Sequence, residues 1–170
     1  KFLREDIYRI GYPKNFMILD NEDMKAIAKE VFAELNINRT ETTIEDFLKN
    51  FLKDKAQSLY IQRYIIPTCP EKVDGSDQDF LRKKRGESYT LAFVSTILKQ
   101  KKYLALDFND LIYFTAHILS CFPEVKDKWQ SKMNYVMVDE VQDCSLLDWA
   151  IFETISAKYG NLFIVGDPDQ

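Results

Sequence analysis

Tyr135-Val136-Met137-Val138-Asp139-Glu140 and Leu162-Phe163-Ile164-Val165-Gly166-Asp167 are the two stretches that decide the fold. Each is a short apolar run without polar alternation that stops abruptly at acidic residues, the pattern of a strand buried on both faces of a parallel sheet. Between them Ser145 and Asp148 form a capping pair for a helix through Lys158 that buries Leu147, Ile151, Phe152 and Ile155, and Gly160 ends it. A strand, a helix and a second strand in this order imply a parallel pair with a right-handed crossover. The fold class expected is α/β overall and mostly α.

Parallel strands place their carboxyl ends on one edge of the sheet, where open α/β sheets bind ligands. Here that edge gathers Asp139-Glu140 from one strand and Gly166-Asp167-Pro168-Asp169-Gln170 from the other. Carboxylates crowded together call for a cation, and Mg²⁺ suits the position because it takes one or two carboxylates together with waters and phosphates. The first acid can anchor the metal and the second, aimed differently, can orient a water. Phosphoryl transfer depends on this kind of positioning and charge stabilisation.

The first hundred residues read as helices joined by polar segments. Leu3, Ile7 and Ile10 share one face until Gly11 and Pro13, and Met24, Ile27, Ala28, Val31, Phe32 and Leu35 recur at helical spacing behind an Asp20–Asp23 capping pair. Thr43 with Asp46 resembles another capping pair, opening a helix that buries Phe47, Leu48, Phe51 and Leu52. Residues 67–88, with Pro67, Pro70, Gly75 and Gly86 among charged residues, read as a mobile loop or a frayed helix start. Tyr89 to Lys99 is helical again, and Asp107 is expected to cap a helix carrying Phe108, Leu111, Ile112, Thr115, Ile118 and Leu119.

The chain has 170 residues, 46% of them hydrophobic and 29% charged, a net charge of -4 and a pI near 5.1. That acidity gives no support to autonomous nucleic-acid binding, which would favour a basic surface. No apolar run approaches the roughly 18 residues of a membrane span, and the charged opening Lys1 to Asp6 is unlike a secretory signal. Cys69, Cys121 and Cys144 are odd in number and not at metal-ligand spacing, so they read as buried reduced thiols in a cytoplasmic protein. Arg82-Lys83-Lys84-Arg85 is the strongest basic cluster, more in keeping with a solvated charged loop than with a contact to duplex backbone. His117 and most of the aromatic residues read as packing.

Val138-Asp139-Glu140-Val141-Gln142-Asp143 closely resembles the Walker B motif, Val-Asp-Glu-x-Gln-Asp, of UvrD/Rep-type superfamily 1 helicases. Val165-Gly166-Asp167-Pro168-Asp169-Gln170 is similar to the third motif of that family, Val-Gly-Asp-x-x-Gln. Leu106-Asp107-Phe108-Asn109-Asp110-Leu111 resembles its Asp-Phe-x-Asp-Leu segment. Trp129-Gln130 and the opening Leu3 to Asp20 also match. Val141 stands where an aromatic residue is commoner, and Cys144 where Thr is.

The resemblance implies an ATP-dependent DNA helicase with ATP and Mg²⁺ as cofactors. Asp139 would bind the metal of MgATP, Glu140 would be the base that orients the attacking water, and Gln170 would sense the γ-phosphate. Gln142 and Asp167 would have supporting roles in binding the nucleotide. Residues 1–105 would be an inserted helical subdomain and 106–170 part of a RecA-like P-loop ATPase domain. The implied partners are DNA, as single strand and duplex junction, and further helicase domains. A RecB/AddA-like helicase–nuclease shares these motifs, and a non-enzymatic helical interaction module is the alternative from another class. The glycines at 11, 75, 86, 160 and 166 form no phosphate loop of the type Gly-x-x-x-x-Gly-Lys-Ser/Thr. The chain alone is therefore expected to neither hydrolyse ATP nor unwind DNA, and to expose an unpaired sheet edge.

Overall fold

The computed structural model describes residues 1–38, 41–57, 60–65 and 76–167. The chain divides into two compact units, Ile10–Asn109 and a discontinuous one made of Lys1–Arg9 with Asp110–Gln170. The structure is mostly helical with two small parallel strand pairs. No helix among the described residues is long and apolar enough to cross a membrane.

In the continuous unit, β1 (Met17–Leu19) leads into α2 (Asn21–Glu34), followed by α3 (Glu41–Lys55), α4 (Ser76–Arg85), α5 (Glu87–Lys102) and β2 (Ala105–Asp107). Asp20 caps α2 as its spacing predicts: its carboxylate accepts the Asp23 N–H at 2.9 Å, and the Asp23 carboxylate accepts the Asp20 N–H at 3.0 Å. The core is aromatic. Phe47 meets Phe32 at 5.2 Å between ring centroids and Tyr89 at 5.5 Å, while Phe51 meets Phe93 at 5.2 Å. Each fully buried phenylalanine contributes roughly 1.5–3 kcal/mol.

This unit departs from the sequence-based expectation in three places. Residues 17–19 and 105–107 are strands, paired in parallel as Met17 with Ala105, Ile18 with Leu106 and Leu19 with Asp107; elements this short show no period. The helix α3 begins at Glu41, so Thr43 lies inside it. Residues 76–85 form α4, whose charge resembles that of a loop; Leu81 is its buried anchor, and residues 66–75 lie outside the described part.

The discontinuous unit contains α1 (Phe2–Asp6), most of α6 (Phe108–Cys121), α7 (Pro123–Lys132), β3 (Val136–Val138), α8 (Leu146–Ser156) and β4 (Leu162–Ile164). Asp6 ties α1 to α7: it is buried, and its carboxylate accepts Trp129 Nε1–H at 2.7 Å and the Lys128 ammonium at 2.8 Å. Burial holds the His117 imidazole below its usual range. Cys121 is exposed and Cys144 half-exposed, against the expectation of buried thiols; Cys69 lies outside the described residues. Helix α8 starts at its predicted Ser145–Asp148 capping box and stops at Ser156, before Lys158; Gly160 then takes φ 68°, with its N–H on the Ser156 carbonyl at 2.8 Å.

Candidate functional site

The strands β3 and β4 are parallel, with Val136 opposite Leu162 and Val138 opposite Ile164. Their expected burial on both faces is not found. Val138 is buried and Val136 and Leu162 half-buried, but Met137 and Phe163, opposite one another, are 80% and 57% exposed. Within this unit α8 packs against the pair.

Past the strands the chain stays zipped for one more step. Val165 N–H donates to the Val138 carbonyl at 2.8 Å, and Val141 N–H to the Val165 carbonyl at 3.1 Å. Asp139 and Glu140 therefore stand beside Gly166 and Asp167, all four exposed at one edge. Glu140 turns the chain with φ 52° and ψ 47°. That left-handed conformation costs roughly 1–2 kcal/mol for a residue with a side chain. The Glu140 N–H donates to Asp139 Oδ1 at 3.0 Å, which offsets part of that cost and fixes the Asp139 carboxylate.

Gln142 sits on the short 3₁₀ turn Val141–Asp143. Its Nε2 donates to Glu140 Oε2 at 2.6 Å, and its Oε1 accepts the Asp167 N–H at 3.2 Å. Gly166 lies close to this turn: a Cβ there would be 2.6 Å from Gln142 Oε1 and 2.6 Å from Val141 Cγ1, so both side chains would have to shift. Of the residues singled out from sequence, Asp139, Glu140, Gln142 and Asp167 are thus brought together. Gln170 lies outside the described residues.

This donor set fits a partly protein-held divalent cation. Mg²⁺ keeps several waters and takes one or two carboxylates plus phosphate oxygens, and Asp139 offers an exposed carboxylate already oriented by a backbone N–H. Among the described residues no three His, Cys, Asp or Glu side chains form a closed metal cage. An open site of this kind leaves coordination positions for a ligand.

Three of the four residues of the basic cluster are engaged internally. Arg85 and Lys84, the latter at 2.8 Å, form ion pairs with Asp54, and Arg82 pairs with Glu87 at 2.8 Å and Asp79 at 3.3 Å. Burial pushes the Asp54 carboxyl up, but hydrogen bonds from Arg85, Lys84 and Tyr89 outweigh it and hold the group below its ordinary value. Burial and the Asp54 carboxylate together raise the Tyr89 hydroxyl far above its ordinary range. Asp54 and its neighbour Lys55 do not stand out in the sequence. The available signal is their spacing, since Ile44, Phe47, Phe51, Asp54 and Lys55 continue one helical stripe into the core.

Comparison with known proteins agrees with the motif pattern. The family model of the UvrD/REP helicase N-terminal domain matches residues 1–170. The chain is 30% identical over 181 residues to an ATP-dependent DNA helicase PcrA of Staphylococcus aureus, covering 100% of this chain and 22% of that protein. It is 32% identical over 176 residues to a probable DNA helicase II homologue of Mycoplasma capricolum, again over 100% of this chain and 22% of the relative. The chain thus spans about a fifth of the length of these curated relatives. With its motifs in order along the whole matched length, the chain belongs to the UvrD/REP helicase family.

Proposed function

We propose that this chain supplies the metal-holding and water-orienting part of the ATP site of a DNA helicase that moves 3′ to 5′ along single-stranded DNA and separates duplex at a junction. Residues 1–105 serve as its inserted helical subdomain and 106–170 as part of its RecA-like ATPase domain, in a cytoplasmic protein. The observation that supports this most is the edge at which Asp139, Glu140, Gln142 and Asp167 meet, in a chain of this family.

Asp139 is the ligand to Mg²⁺, which when bound would offset the charge of the nucleotide phosphates. The Glu140 carboxylate, one residue further and turned aside by its left-handed backbone, accepts a hydrogen bond from the attacking water and orients it. Gln170 reads the γ-phosphate, and Gln142 and Asp167 support the loop that meets the nucleotide. The 170 residues contain no phosphate loop, so turnover needs one from elsewhere in the ATPase.

Glu140→Gln tests this. In the full-length protein that carries this chain it should lower ATP turnover by about 100-fold or more while leaving ATP binding in place; turnover equal to wild type would refute the reading. The 170-residue chain on its own should release no phosphate from MgATP, and release that disappears in Glu140→Gln would refute the need for the missing loop.

A further inference from the structure

Two of the hydrogen bonds made by Gln142 point in opposite directions. One end of its amide donates to the Glu140 carboxylate at 2.6 Å, and the other accepts the Asp167 N–H at 3.2 Å. The acid that follows β3 is therefore held against the first backbone N–H beyond Gly166, at the end of β4. Only a side chain with both a donor and an acceptor at its tip can do this, and an amide has both whatever the pH.

A Cβ on residue 166 would meet Gln142 Oε1 at 2.6 Å and the Val141 backbone nitrogen at 3.3 Å, so the β4 end lies directly against the turn that carries Gln142. The Val141–Val165 and Val165–Val138 backbone bonds hold the two ends in step. Glu140 in turn has its backbone set by φ 52° and by the bond to Asp139. One amide therefore links the Gly166–Asp167 backbone to the Glu140 carboxylate.

We propose that Gln142 is a positioning residue for the ATPase reaction: it aims the Glu140 carboxylate and makes that aim depend on the position of the β4 end. This rests on Glu140 being the acid that orients water. Misplacing a reacting group by about 1 Å costs on the order of 100-fold in rate, so loss of that aim is expected to show in kcat.

The test compares Gln142→Leu, which removes both bonds, with Gln142→Glu, which can still accept from Asp167 but cannot donate to Glu140 when ionised. In the full-length protein both should lower kcat for ATP by about 10- to 100-fold with KM for ATP within about twofold. Because Gln142 acts through Glu140, Gln142→Leu should add less than about twofold to the loss already caused by Glu140→Gln. In the 170-residue chain, amide hydrogen exchange at Asp167 should be faster in Gln142→Leu than in Gln142→Glu. Wild-type kcat in Gln142→Leu, an effect fully multiplicative with Glu140→Gln, or a loss confined to KM would each overturn the proposal while an inactive Glu140→Gln leaves the ATP-site reading intact. An active Glu140→Gln would overturn that reading itself.

Discussion

The two parallel strand pairs are alike in size, three residues against three, and opposite in what lies at their carboxyl ends. In the pair β1–β2 the strand β2 is wholly buried, and it ends in Asp107, whose carboxylate accepts the Lys55 ammonium at 2.7 Å and the Gln100 amide at 3.2 Å. Lys55 is itself 1% exposed and lies over the rings of Tyr60 and Phe51, at 4.9 and 5.3 Å from their centroids. In the pair β3–β4 the acids Asp139 and Glu140 remain exposed, their carboxylates accepting from a backbone N–H and from the neutral Gln142 amide. A charge at a strand end thus has two uses. Neutralised by a buried cation it fixes the fold; left in solvent and merely oriented, it is available to a ligand.

That contrast predicts a ranked set of effects, each measured by urea unfolding of the 170-residue chain. The largest belongs to Lys55→Met, which strands the Asp107 carboxylate in the interior and should destabilise by about 3–5 kcal/mol. Adding Asp107→Asn removes the orphaned charge and should recover most of the loss; no recovery would mean that the pair acts through packing rather than charge. Asp54→Asn should cost about 1–3 kcal/mol, less because its partners Lys84 and Arg85 are partly exposed and can rehydrate. The Asp54 carboxyl is held below its unfolded value, so its contribution is complete above roughly pH 4 and fades as pH falls through the lower folded value. Asp54→Asn should abolish that part of the acid dependence; an unchanged acid limb would assign it to other carboxylates. Smallest of all, Asp139→Asn keeps an oxygen for the Glu140 N–H and should shift stability by less than about 0.5 kcal/mol. A loss above about 2 kcal/mol would make Asp139 a structural acid like Asp107 and erase the contrast.

The same two pairs mark how far the sequence can be read. The pair β3–β4 is legible because its apolar runs are flanked by strong punctuation: the Ser145–Asp148 box, Gly160, and acids that stop each run. Strands β1 and β2 carry no such frame. Ile18 and Leu106 lie in short apolar stretches between helices, and only the pairing across the chain makes them strands. Helix α4 is hidden for a different reason, since its four consecutive basic residues resemble solvated loop until Asp54, some thirty residues earlier in the chain, pairs with two of them. At the candidate site the residue types are legible and the wiring is not. The bond from Gln142 to Asp167 spans 25 residues, and the left-handed turn at Glu140 has no glycine or asparagine to announce it.

The bond between Asp6 and Trp129 joins residues 123 apart, and the chain between them largely makes up the other compact unit. During synthesis at roughly 5–20 residues per second, the opening helix therefore spends on the order of ten seconds without the tryptophan it will pack against. Throughout that interval the Phe2 ring, which meets Trp129 at 5.0 Å in the finished fold, has not yet acquired that contact. The helix made before that unit is thus secured only after it, and the intervening unit has time to fold before α1 and α7 close around the Asp6 carboxylate.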